Sequence, residues 1–118
     1  MAWEKKPIDR MEMLHILGLI YARTAAGFGK VALQKLMMEE AKPTVRAKTA
    51  IVCRALTQSG LLTYCRQKKN RLYKWNLKEW GPPSLLVADA MIVQTDVEAK
   101  RKARIQWKNI RMKNEQQA

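Results

Sequence analysis

Ala55-Leu56-Thr57-Gln58-Ser59-Gly60-Leu61-Leu62, leading on to Arg71-Leu72-Tyr73-Lys74-Trp75-Asn76-Leu77, is the stretch that decides the fold. Gly60 tolerates the backbone angles of a helix terminus, so a helix is expected to stop at Ser59. Leu61 to Arg66 and Arg71 to Leu77 then read as two strands around the polar turn Gln67-Lys68-Lys69-Asn70. Tyr73, Trp75 and Leu77 alternate with Leu72, Lys74 and Asn76, which puts the large apolar side chains on one face. Leu62 and Tyr64 are the expected partners across the hairpin. Trp80, Gly81, Pro82 and Pro83 end the sheet and mark a boundary.

Working back from Gly60, a helix fits Val45 to Ser59, with Thr44 as its N-cap. Val45, Val52, Ala55, Leu56 and Ser59 gather on one side with Ile51 on the flank, and Arg46, Ala47, Ala50, Arg54 and Thr57 on the other. The turn Ala41-Lys42-Pro43-Thr44 separates it from a short helix over Lys30 to Glu40, whose Val31, Leu33, Leu36 and Met37 face inward. A first helix is expected from Asp9 to Ala25, with Asp9 as N-cap. Its stripe is Met11, Leu14, Gly18, Tyr21, Ala22 and Ala25, widened by Met13, Leu17 and Ile20. Gly27-Phe28-Gly29 ends it and leaves room for a short edge strand at Phe28.

Beyond Pro83, an apolar piece, Ser84 to Val93, and a basic piece, Val97 to Lys113, lack proline and glycine and read as helix. They form one long helix, or two broken near Gln94-Thr95-Asp96, where Thr95 fits a cap and an interior position alike. Leu85, Leu86, Ala88, Met91 and Ile92 make an apolar stripe that needs a cover, supplied by the chain's own first helix or by another subunit.

With 47% hydrophobic content in 118 residues, the chain supports one compact domain and an appendage rather than two cores. Lys and Arg number 23 against 10 Asp and Glu, and the resulting charge of +13 attracts polyanions. No apolar run approaches the roughly 20 residues of a bilayer span. The first residues lack a secretory pattern, so a cytoplasmic location is expected. Cys53 and Cys65 are too few for a disulfide scaffold and read as reduced, packed thiols, with a redox role as the lesser reading.

The order helix, helix, turn, helix, Gly-Leu-Leu, hairpin resembles the winged helix-turn-helix superfamily over roughly Asp9 to Leu77. The expected class is therefore mainly α with a small β-hairpin (α+β). It comprises a winged-helix domain over residues 9–80 and a C-terminal helical extension over residues 84–114. Two departures stand out: the first strand is at best Gly27-Phe28-Gly29, and a proline lies between helices two and three. The resemblance implies that the third helix enters a major groove of DNA while the hairpin tip touches backbone or minor groove.

Charge points the same way. Between Ala41 and Lys78 there are ten cations and no Asp or Glu, whereas ordinary soluble surfaces mix both signs; a merely solvated basic face is the alternative reading. The expected recognition-helix residues are Thr44, Arg46, Ala47, Lys48, Thr49, Ala50 and Arg54. Arg46 is the leading base reader, because its fork matches guanine O6 and N7. The short Ala47 and Ala50 permit close approach, and Thr44 and Thr49 can donate. In the wing, Arg66, Lys68, Lys69, Asn70 and Arg71 are expected on the backbone, contributing affinity without sequence information. Lys42, Arg101, Arg104 and Lys108 are further backbone candidates, the last three on a basic stripe that includes Val97 and Arg111. An exposed, mobile basic helix is the alternative for that stripe.

Double-stranded DNA is thus the expected partner, bound by a homodimer formed through the C-terminal helical region. The role is that of a transcriptional regulator or a mobile-element replication or maintenance factor. The alternatives are a protein-interaction winged-helix adaptor and an RNA or single-strand binder using Tyr64, Tyr73 and Trp75, whose alternation fits core packing better. His15 lacks a catalytic partner set. Glu39-Glu40 and Asp9 with Glu12 suit helix charges better than acid–base chemistry. No phosphate-binding glycine loop, metal-ligand spacing or nucleophile elbow is present. No enzyme activity, membrane contact, cofactor, metal or small-molecule ligand is expected.

Overall fold

The computed structural model describes residues 8–24, 29–30, 32–67 and 70–117, and they are mainly helical with a small antiparallel sheet. Helix α1 (Arg10–Thr24) opens on Asp9, whose carboxylate accepts the Met11 N–H at 2.9 Å, so the expected cap is in place. The face it buries differs from the expected stripe. Met13, Ile16, Leu17, Ile20 and Thr24 are buried, whereas Met11 is exposed and Leu14, Gly18 and Tyr21 are half-buried. Apolar residues occupy most of this helix's circumference, so their spacing alone does not select the inward side.

Strand β1 (Gly29–Lys30) precedes helix α2 (Leu33–Glu40), which begins after Lys30 rather than at it. Leu33, Leu36 and Met37 face the core as expected, while Val31 and Phe28 lie outside the described residues. Helix α3 (Pro43–Arg46) is a single turn with proline at its start. There the missing N–H costs nothing, because first-turn donors have no intrahelical acceptor. Before it, the Lys42 N–H donates to Oε1 of the buried Glu12 at 2.7 Å, tying α1 to the turn.

The helix expected over Val45 to Ser59 is instead divided. The chain leaves helical geometry at Ala47-Lys48 and re-enters at helix α4 (Thr49–Gln58). At the break the Thr49 hydroxyl donates to the Arg46 carbonyl at 2.7 Å, the kind of side-chain bond that competes with the helix ladder. Thr44 accordingly lies within α3 and caps nothing. On α4 the sides fall as expected, with Val52, Ala55 and Leu56 buried and Ala50 and Arg54 exposed. Gly60 follows at φ 81°, a conformation that L side chains rarely adopt.

Strands β2 (Leu62–Gln67) and β3 (Asn70–Trp75) pair antiparallel with Leu62 opposite Trp75 and Tyr64 opposite Tyr73, and β1 adds to the other edge of β3 in the order β1-β3-β2. β3 ends before the expected Leu77. The Asn76 side chain accepts the Glu79 N–H and donates to the Gly60 carbonyl, starting helix α5 (Leu77–Trp80) and leaving Leu77 exposed. Trp75 is buried, packs edge-on against Tyr21 at 5.3 Å between centroids, and donates its indole N–H to the Gly81 carbonyl at 2.8 Å.

The tail is one helix, α6 (Leu85–Gln117), 33 residues and so about 50 Å long. Thr95 sits inside it, its hydroxyl bonded to the Met91 carbonyl. Of the two expected covers for its apolar stripe, the chain's own body is the one observed. Val87, Ala88 and Met91 join the single buried cluster, packed on α1 and α4. Leu85 and Leu86 point to solvent instead. Arg10 and Asp89, 2.8 Å apart, bridge α1 to α6.

Candidate nucleic-acid interface

The hydrogen bonds fix how α6 lies along α4. Ser59 at the end of α4 meets Met91, with Oγ 3.5 Å from Sδ, and Arg54 further back meets Glu98. The two helices are therefore antiparallel, and α6 continues past the N-terminus of α4. Every residue from Lys100 to Arg111 on this projecting arm is exposed.

The exposed strip of α4 is flanked by two concavities. On one side an open groove of about 430 Å³ runs between α4 and α6, lined by Ala50, Ile51, Arg54, Arg101 and Ile105 among others. On the other a more polar hollow of about 320 Å³ lies toward the hairpin, lined by Gln34, Arg54, Thr57, Gln58, Tyr64 and Arg71 among others. Arg54 borders both and so sits on the midline.

The expected recognition residues separate on this surface. Ala47, Ala50 and Arg54 are exposed, and Thr44 and Lys48 are half-buried. Arg46 is exposed but ends α3, so it does not occupy the first turn of α4. Thr49 is buried with its hydroxyl spent on the Arg46 carbonyl and near Met38 Sδ, so it is not a free donor.

In the hairpin, Arg66 and Arg71 are exposed and face each other across the two strands, and Arg71 lies 5.9 Å from the Tyr64 ring centroid. Asn70 pairs with Gln67 at the start of β3, and Lys68 and Lys69 lie outside the described residues. Tyr64 is exposed, although the alternation placed it among the inward residues. Lys42 is exposed beside α3, and Arg101, Arg104 and Lys108 are exposed on the arm, together with Lys100 and Lys102.

Glu98 was not among the residues the sequence singled out. Its side chain is only 1% exposed, against 57% for Arg54, whose Nε donates to Oε2 at 3.1 Å. Gln94 Nε2 donates to Oε1 at 3.3 Å, and Arg101 Nη1 lies 3.8 Å from the same oxygen. A buried carboxylate carries a large desolvation cost unless charged and hydrogen-bonding partners meet it. The available signal was spacing: Glu98 follows Met91 by seven residues and Thr95 by three, continuing the core stripe into the basic tail.

On α4, burial pushes the Cys53 thiol up to about 11, a backbone hydrogen bond partly opposing the rise, while Cys65 on β2 is exposed. His15 is exposed on α1. Among the described residues no cluster of His, Cys, Asp or Glu is arranged to hold a metal ion, and no helix is long and apolar enough to cross a membrane. Compared with protein-family models, curated proteins and solved structures, the chain matches none of them.

Proposed function

We propose that this protein is a cytoplasmic winged-helix protein that binds duplex DNA, as a transcriptional regulator or a mobile-element replication or maintenance factor. The order of elements supports it: α1, β1, α2, a turn of helix, α4 and a hairpin, with β1 completing a three-stranded sheet. The observation that carries the reading is the outward strip of α4. Ala50 on α4, and Ala47 in the turn before it, leave the backbone approachable, Arg54 stands at the middle of the strip, and no acidic residue occurs between Ala41 and Lys78.

In this reading α4 enters the major groove and Arg66 and Arg71 hold the flanking backbone. The arm extends about 28 Å beyond Glu98, which brings Arg104 and Lys108 toward phosphates further along the duplex. The homodimer uses the outward side of α6, where Leu86, Val93 and Val97 are exposed, since Val87, Ala88 and Met91 are occupied within the chain.

Titration of labelled duplex at several salt concentrations tests it. Neutralising about six phosphates gives a log–log slope near −5, at roughly −0.9 per phosphate. Absence of binding at low salt refutes it. A single-strand or RNA reading draws on the exposed Tyr64 beside Arg71, a pair suited to stacking on a base. An adaptor reading draws on the exposed Trp107 and Ile110 of the arm. Competition among duplex, single strand and structured RNA separates the first, and copurification with one acidic protein free of nucleic acid the second.

A further inference from the structure

We infer that Glu98 is a positioning residue that holds Arg54 as the base-reading guanidinium of α4, a proposal that rests on the duplex-DNA reading. Arginine is long and flexible, and fixing its head before contact removes ordering that binding would otherwise have to supply. Here the fixing group is the Glu98 carboxylate. Glu98 is buried, its Oε1 is engaged by Gln94 and faced by Arg101, and its Oε2 receives Nε of Arg54.

The geometry leaves the useful part of the guanidinium free. The Arg54 bond to Glu98 uses Nε, so Nη1 and Nη2 remain as the two-pronged donor that matches O6 and N7 of guanine. Arg54 lies one turn along from the short Ala50, between the groove beside α6 and the hollow beside the hairpin. Arg46 has no comparable support: it ends α3, and its carbonyl rather than its side chain is held by Thr49. The carboxylate thus selects which exposed cation is ordered enough to discriminate bases. It does so from α6, outside the helix that reads.

The test is selection of bound fragments from a random duplex pool, followed by binding titrations on the selected site and on single-base variants. The proteins are the wild-type chain, Glu98→Gln, Arg54→Lys and, as a control, Asp89→Asn. The control removes one negative charge from α6 at its contact with α1, away from α4. Glu98→Gln should lose about tenfold of its discrimination at one G·C pair while binding unrelated duplex as well as wild type or better, because a negative charge has gone. Arg54→Lys keeps the charge and should lose the same pair, and the double variant should lose no more than Arg54→Lys alone. Asp89→Asn should keep the preference.

A merely structural bridge moves these readouts differently, lowering specific and nonspecific binding together along with the melting temperature. Discrimination retained at every position in Glu98→Gln, or a wild-type protein that binds duplex without sequence preference, overturns the inference and leaves DNA binding standing. If Glu98→Gln does not fold, Arg54→Lys decides: full discrimination there overturns the inference. Failure of the wild-type protein to bind duplex at low salt overturns both readings.

Discussion

Replacing Trp75 with Phe should lower stability by about 2 to 3 kcal/mol, and the structure says where the loss arises. The indole N–H bond to the Gly81 carbonyl, at 2.8 Å, disappears. A net hydrogen bond is worth about 0.5 to 1.5 kcal/mol, and the lower half applies because half-buried Gly81 can recover some hydration. The missing half of the indole leaves a void in a site that is 1% exposed. Full truncation of a buried aromatic costs about 3 to 5 kcal/mol, so losing one ring of two costs about 1.5. The edge-on contact with Tyr21 weakens without vanishing, adding a few tenths. At about 2.1 cal/mol/K per residue, a 118-residue chain unfolds with an entropy near 0.25 kcal/mol/K, so the melting temperature should fall by about 10 °C. Thermal unfolding by circular dichroism reads the shift, and urea titration with an unchanged m-value confirms that the folded state is the one affected. A fall of less than about 2 °C would refute the idea that Trp75 joins α1, the hairpin and the Gly81 turn.

Glu12→Ala should cost about 1 to 2 kcal/mol, or 4 to 8 °C, because it removes a charged acceptor from the Lys42 N–H, and an unchanged melt would deny that this bond holds the α2–α3 turn. Thiol titration at pH 8 should modify exposed Cys65 first and half-buried Cys53, with its raised pKa, more slowly, and equal rates would contradict that difference. The Cys53 thiol rises from 9.0 to about 11, so the folded form holds its proton more tightly than the unfolded form. Its contribution to stability is therefore complete below pH 9 and lost as the pH rises through 11, and Cys53→Ala should flatten unfolding curves recorded across that window.

Two parts of the fold were legible because a period and a boundary agreed. Gly60 marked the end of α4, and the alternation through Tyr73 and Trp75 pointed to Leu62 and Tyr64 as partners across the hairpin, which they are. The inward and outward sides of α4 followed from its period for the same reason. What escaped depends on single hydrogen bonds. A threonine four residues inside an apparent helix looks like any helical residue, yet the helix is interrupted just before Thr49, whose hydroxyl meets the Arg46 carbonyl. Leu77 continued the strand pattern, yet the Asn76 side chain capped a new turn. Thr95 was ambiguous because a cap and an interior back-bond use the same residue. On α1, apolar groups on nearly all sides hid the face that matters. At the candidate site the cations were visible as composition, whereas Glu98, which meets one of them, reads in the sequence as an ordinary helix charge beside Asp96.

The docking of α6 onto α1 also sets an order of events in synthesis. These two helices are separated by the whole sheet and by α4 in the sequence, yet they share one buried cluster. A chain emerging from the ribosome presents α1, then α4 and the hairpin, with the cover for their common apolar surface still to come. Only when Val87, Ala88 and Met91 have been made can that surface close. The entropy of closing so long a loop grows only logarithmically with its length, so distance costs little in equilibrium and much in time. Products stopped before α6 keep an open apolar flank, the surface that chaperones bind and that drives incomplete chains to aggregate. The same late segment supplies Glu98, so the finished core and the ordered Arg54 arrive together.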